Sequence, residues 1–202
     1  MGKQKYYVVW RGRNPGIYDS WVECLGEINN IKGALFKSFT DLNQAKEAYK
    51  FGYKEYKNLI SQKNLETGPD MNSISVDAAS SGNPGEMEYQ GVDTLTKKVL
   101  FKKGPFENAT NNIGEFLALV HGIAMIEKGC EKKIIYSDSI TAISWVRKRR
   151  CQTKLIKDKK NEEVFDLIDR AILWLKKNNH SALIKKWETK LWGEIPADFG
   201  RK

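Results

Sequence analysis

Two histidines and three cysteines are the whole supply of imidazole and thiol metal ligands in this 202-residue chain. Cys24, Cys130 and Cys151 are odd in number and widely spaced. They exclude a disulfide frame and a Cys/His zinc site, and they point to reduced thiols inside a cell. No apolar run approaches the ~20 residues that cross a bilayer. The opening MGKQKYYVVW has no signal-peptide core, and Tyr6 stands where a myristoylation site needs Ser or Thr. No membrane partner is expected, and the expected location is cytoplasmic. Internal repeats are absent too. Acid is the scarcer charge: 34 Lys and Arg against 25 Asp and Glu leave +9, with a pI near 9.3. That balance suggests a polyanionic partner, and the basic residues are clustered, Arg147-Lys148-Arg149-Arg150 followed by Lys154, Lys157, Lys159 and Lys160.

What is present reads as two folded pieces. Hydrophobic content of 41% with 29% charge is that of a globular protein. Tyr6–Trp10 reads as a strand and Asn14-Pro15-Gly16 as a turn. Ser20-x-x-Glu23 is a capping box before Trp21, Cys24, Leu25 and Ile28, which recur at helical spacing. Phe36–Phe39 is a short strand, and Thr40 is expected to cap a helix carrying Leu42, Ala45 and Tyr49. Residues 51–70, rich in Lys and Asn and closing on Thr67-Gly68-Pro69-Asp70, are expected to be a linker between a domain at 1–50 and one at 71–202.

The second piece starts with Ile74 and Val76 alternating with Ser73 and Ser75, then Asp77, Ala78, Ala79 and the turn at Gly82–Gly85. Residues 87–92 and 97–102 read as strands. Ile113, Phe116, Leu117, Val120 and Ile123 mark a helix; Lys132–Tyr136 is a buried-type strand. Two more helices and a strand at Ser181–Trp187 follow. The order implies a mixed α/β sheet flanked by helices.

Asp77 is out of place within a strand, because a buried carboxylate without a partner costs several kcal/mol or goes neutral. Three more acids stand at element ends: Glu115 in a first helical turn, Asp138 after a strand, and Asp198 in the tail. Each has an ordinary explanation. Asn112-x-x-Glu115 is capping-box-like, Asp138 or Ser139 could cap the next helix, and Asp198 could be an exposed residue.

Taken together, the motifs resemble type 1 ribonuclease H over residues 71–202. The matching segments are Asp77-Ala-Ala-Ser-Ser-Gly-Asn-Pro-Gly, Thr110-Asn111-Asn112-Ile-Gly-Glu115, Ile134-Ile135-Tyr136-Ser137-Asp138-Ser139 and Ala197-Asp198. Residues 5–50 resemble the small hybrid-binding domain that precedes some of these nucleases, through Tyr6–Tyr18 and Phe36-Lys37-Ser38-Phe39.

The resemblance implies a ribonuclease H-like mixed sheet preceded by a small α/β hybrid-binding domain. It implies hydrolysis of the RNA strand of RNA–DNA hybrids, leaving 3′-hydroxyl and 5′-phosphate ends. Asp77, Glu115, Asp138 and Asp198 would be the catalytic ligands of two Mg²⁺ ions about 4 Å apart, with Mn²⁺ as a substitute. Asn83, Thr110, Asn111, Asn112 and Asn161 would contact nucleic acid, Asn side chains being able both to donate to and accept from a 2′-hydroxyl. Asn112 is equally explained by cap duty. Trp21 and Phe36 with Lys37 would contact the DNA strand, although the spacing of Trp21 also fits a core. Double-stranded RNA is a second expected partner. The family's loop histidine and final helix have no counterpart here, and an arginine common two residues before the threonine is Asn108. A non-catalytic hybrid-binding or duplex-RNA-binding protein is the alternative; a resolvase-like nuclease is a third reading.

Overall fold

A computed structural model describes residues 4–200, with the side chains of 63–65 left aside. The chain divides into two compact units, Met1–Thr67 and Gly68–Lys202. None of the described helices is long and apolar enough to cross a membrane.

In the first unit, β1 (Tyr6–Arg11) lies between β2 (Gly16–Tyr18) and β3 (Leu35–Phe39), antiparallel to both. Strand alternation sends neighbouring side chains to opposite faces. Val9 packs with Cys24 and Ile28 of α1 (Trp21–Ile28), while Val8 packs with Ala45 and Ala48 of α2 (Leu42–Thr67). The middle strand is thus covered on both sides. Ser20 caps α1 as expected, its hydroxyl accepting from the Glu23 N–H at 3.2 Å. The cap of α2 is Asp41 rather than Thr40: its Oδ1 accepts from the Gln44 N–H at 2.8 Å. Leu42 and Tyr49 lie exposed; Ala45 and Ala48 face the sheet instead.

Residues 51–67, expected to belong to a linker, are helical and continue α2 past a break at Gly52 (φ 76°), a conformation glycine tolerates. Their aromatic residues explain the difference. Tyr53 and Tyr56 pack on Trp10, whose indole N–H donates to the Ala48 carbonyl at 3.0 Å.

The second unit holds a five-stranded sheet in the order β6-β5-β4-β7-β8. β4 (Ser73–Ser80), β5 (Gly85–Asp93) and β6 (Val99–Ala109) form an antiparallel meander, and β7 (Ile134–Ser137) and β8 (Leu183–Lys186) add in parallel. α3 (Asn111–Glu127) packs on the sheet, followed by α4 (Ile140–Arg147) and α5 (Glu162–Lys177). A short α6 (Thr189–Trp192), not foreseen, follows β8. Ser73 and Ser75 are fully buried, so β4 is covered on both faces; both hydroxyls meet the Thr94 hydroxyl at 2.8 Å.

Two glycines set the separation of α3 from the sheet. A methyl on Gly114 would stand 2.7 Å from both Ala78 Cβ and Met87 Sδ, and one on Gly122 would stand 2.4 Å from Ile135 Cδ1. Only bare backbone lets α3 come this close.

Candidate active site

Three element ends converge. Asp77 follows Val76 near the end of β4, Glu115 is the fifth residue of α3, just past the first turn where the sequence put it, and Asp138 directly follows β7. Each offers a carboxylate oxygen, and these oxygens all lie within 4.8 Å of one another. The close seat of Gly114 on Ala78 brings the next residue, Glu115, to the carboxylate of Asp77.

The capping explanations raised by the sequence are settled by the hydrogen bonds. Ser139 caps α4, its hydroxyl accepting from the Ala142 N–H at 3.2 Å, and the Ser139 N–H donates to the Ser137 hydroxyl at 3.1 Å. The Asp138 carboxylate is left out of capping. Thr110 is the N-cap residue of α3 but makes no side-chain cap bond. Glu115 Oε1 accepts from the Asn111 amide at 3.1 Å, while Oε2 is buried with no hydrogen-bond partner among the described residues.

Electrostatics follow from this crowding. Burial pushes the Asp77 carboxyl up to about 7; the Ala78 N–H opposes that, and Asp138, Glu115 and Asp198 add to it. Burial likewise lifts Glu115 to about 7, with the Ser139 hydroxyl opposing and Asp138 reinforcing. Asp138 is raised by burial too. Its own N–H and Lys186 pull it down, and Glu194 and Asp198 push it up. A buried, partnerless carboxylate oxygen amid like charges is the environment that a cation relieves. The donors are all oxygen, which suits a hard divalent ion and not a thiolate- or imidazole-seeking one.

Asp198 lies outside that trio. It is exposed, its Oδ2 accepting from the Gly200 N–H at 2.9 Å, yet its charge reaches both Asp77 and Asp138. Neither histidine belongs to the cluster: His121 stacks on Phe101 with centroids 4.0 Å apart, and His180 lies near Glu127. Sequence reading overlooked Lys186 and Gln90. Lys186 pairs in register with Ser137, one residue before Asp138, a parallel-strand pairing that no local motif signals.

The expected nucleic-acid contacts fare unevenly. Asn83 and Asn112 are exposed, Thr110 and Asn111 half-buried. Asn161 is fully buried, and its side chain is consumed by the fold. Its Oδ1 accepts from the Asp158 N–H at 2.8 Å, and its amide donates to the carbonyls of Ile156 and Asn108 at 3.0 and 3.3 Å. It is a structural residue here. Asn108 donates to Asp158 Oδ2 at 2.6 Å.

In the first unit, Trp21 is 43% and Phe36 42% exposed. Their ring centroids are 5.9 Å apart, with Tyr7 5.5 Å from Trp21. Trp21 is a surface aromatic, not core. Lys37 does not stand beside this pair: strand alternation turns it to the other face, 4.9 Å above the Tyr56 ring and 5.7 Å from Phe39.

Residues 5–49 match a family described as the Ribonuclease H1 N-terminal domain. The chain is 34% identical over 123 residues to Ribonuclease H of Thermoanaerobacter sp. (strain X514), covering 57% of this chain and 77% of that protein. It is 42% identical over 47 residues to Ribonuclease H of Saccharomyces cerevisiae, covering 23% of this chain and only 14% of the yeast protein. Among solved structures, it is similar to LC11-RNase H1 in complex with an RNA/DNA hybrid. There the identity is 19% and the TM-score 0.36, over 58% of this chain and 86% of that one.

Proposed function

The chain belongs to the ribonuclease H family, as a type 1 RNA–DNA hybrid ribonuclease, and from that premise we propose how it works. It cuts the RNA strand internally, leaving 3′-hydroxyl and 5′-phosphate ends. Asp77, Glu115, Asp138 and Asp198 hold two divalent ions, Mg²⁺ by preference and Mn²⁺ as a substitute. The observation that carries this reading is the meeting of the carboxylates of Asp77, Glu115 and Asp138, with Glu115 Oε2 buried and lacking a hydrogen-bond partner among the described residues. When bound, such ions activate water for attack on phosphorus and stabilise the departing oxygen.

The chain's own residues prepare that site. Asn111 holds Glu115 through Oε1 and leaves Oε2 buried with no hydrogen-bond partner among the described residues. Ser139 takes the capping duty of α4, so Asp138 keeps both oxygens for the site. Lys186 favours the ionised form of Asp138. Asn83, Asn112, Thr110 and the carbonyl oxygen of Asn111 read the 2′-hydroxyls that only the RNA strand carries. Trp21, Tyr7 and Phe36 present an aromatic surface to the duplex, which adds affinity without chemistry. Double-stranded RNA is a second duplex this surface would accept.

The test is incubation of the purified protein with labelled RNA–DNA hybrid, RNA duplex and DNA duplex in Mg²⁺, Mn²⁺ or EDTA. Cleavage of the hybrid's RNA strand alone, with either metal and not with EDTA, is the expected result. Binding of hybrid with no cleavage in any metal would replace this reading with the non-catalytic one.

A further inference from the structure

The described segment 193–200, which carries Asp198, contains no helix or strand, yet it is held at two points by one row of the sheet. Asp77 of β4 pairs in register with Gln90 of β5, and Gln90 pairs with Lys102 of β6. Residues directly opposite in antiparallel strands project to the same face. Tyr89 and Phe101, the neighbours of Gln90 and Lys102, point the other way into the core under α3. Asp77, Gln90 and Lys102 therefore form one row on the face that the tail covers. Gln90 Nε2 donates to the Ala197 carbonyl at 2.7 Å, in a part-buried setting. Lys102 Nζ, 2.8 Å from Glu88 Oε2, lies 5.2 Å above the Phe199 ring. The two contacts grip the residues on either side of Asp198.

We infer that Gln90 is a positioning residue for the site: by holding the Ala197 carbonyl it fixes Asp198 beside Asp77, with Lys102 on Phe199 as the second grip. The same strand row thus supplies one carboxylate and places another. This inference rests on the proposed role of Asp198 as a cation ligand. Backbone geometry explains why a side-chain donor is needed. The Asp198 N–H donates to the Ile195 carbonyl and the Gly200 N–H to Asp198 Oδ2, so the turn is closed on itself and, among the described residues, has no backbone ladder to the sheet. A glutamine at this register position spans that gap; leucine has a similar bulk and no donor.

The experiment is a double-mutant cycle on the full chain with Gln90→Leu, Asp198→Asn and the pair. Three quantities are read: Mg²⁺ affinity by calorimetry, the Mg²⁺ concentration giving half-maximal hybrid cleavage, and exchange of the Asp198 and Gly200 amide hydrogens. Gln90→Leu should weaken Mg²⁺ affinity roughly fivefold, the worth of one neutral hydrogen bond, and raise the half-saturating concentration to match. It should also speed exchange at both amides. In the Asp198→Asn background it should change Mg²⁺ affinity less than about twofold, because residues acting through one another are not additive. Lys102→Met should repeat the pattern more weakly, which keeps the inference testable should Gln90→Leu fold poorly. Equal penalties from Gln90→Leu in both backgrounds would overturn the positioning role and leave Asp198 as a ligand. An Asp198→Asn protein with wild-type Mg²⁺ affinity would remove the premise, and the inference with it.

Discussion

The two units of the chain invert each other in what they cover and what they leave open. In the first, Trp21 and Phe36 stand more than two-fifths exposed, while its acids are exposed or half-exposed and the capping one, Asp41, has a backbone partner. In the second, Phe116, Trp145 and Trp187 are sealed inside, while Asp77 and Glu115 are covered. Leaving a large ring in water forgoes ~2–3 kcal/mol of burial, and covering a carboxylate without a cation costs at least as much. The paired exposed rings of the first unit and the covered acids of the second are thus departures of opposite kinds. Departures of that kind mark the surfaces a protein uses. The first unit leaves rings in water; the second brings carboxylates together under cover.

Removing charge from the second unit should have the largest consequence. Asp138→Asn keeps the shape of the side chain and takes away an anionic oxygen, so hybrid cleavage should fall to the floor of a gel assay while hybrid affinity changes little. Cleavage near the wild-type rate would break the assignment of chemistry to this unit.

The next effect is on stability, and its sign follows from the raised carboxyls. In the metal-free protein Glu115 keeps its proton up to about pH 7, whereas the unfolded chain loses it near 4.5. Between those values the folded state binds more protons, so stability falls as pH rises through this window and stays low above it. Glu115→Gln cannot lose a proton and should raise the melting temperature of the metal-free protein at pH 8 by roughly 5 °C. Saturating Mg²⁺ should shrink that difference. A variant that melts lower than wild type in EDTA would contradict the picture of an uncompensated acid.

The first unit should respond to ring loss in the opposite sense. Trp21→Ala should weaken hybrid binding about tenfold, in line with the worth of one base-stacking aromatic, with little change in melting temperature. A core tryptophan would instead cost roughly 3–5 kcal/mol of stability, so a melting scan and a binding titration on one sample separate the two.

The smallest effect concerns an acid of the second unit that does have its cation. Asp93 lies 2.7 Å from Lys132, and its carboxylate also accepts from the N–H groups of Leu95 and Thr96. Lys132 and Thr96 hold it well below the usual carboxylate range, so its contribution is present at neutral pH and fades as pH falls. Lys132→Met should cost about 1 kcal/mol by chemical denaturation at pH 7 and leave cleavage alone. A loss of activity would show that the cluster's geometry depends on this distant pair.

Much of this was legible because it is local. Strand alternation and the turn at Gly82–Gly85 put Asp77 within a strand, the helical stripe from Ile113 to Ile123 put Glu115 at a helix start, and the strand at Lys132–Tyr136 put Asp138 just past its end; the family resemblance joined them into one site. The misreadings share a cause as well. Asn161 and Lys37 are the right residue types in the right segments, but burial and strand parity decide what a side chain reaches. Ser73 and Ser75 look like a solvent face until Thr94, 19 residues beyond Ser75, arrives to bond them. The helical 51–67 segment lacks a broad apolar stripe and is held by Trp10 from far upstream. Gln90 and Lys186 owe their places to register across strands, which no window of sequence contains.

The bare backbone of Gly114 carries one further implication, for the size of ion the site prefers. Because α3 rests directly on Ala78 and Met87, the opening between Glu115 and Asp77 is set by helix-to-sheet distance rather than by side-chain length. A single methyl there has to lift the helix start or push Ala78 aside, widening the cage. Mg²⁺ demands oxygens at about 2.1 Å and tolerates slack poorly, while Ca²⁺ and Mn²⁺ accept longer bonds. Gly114→Ala should therefore shift relative affinity from Mg²⁺ toward the larger ions in a calorimetric comparison, making ionic radius a property encoded by a residue that touches no ion.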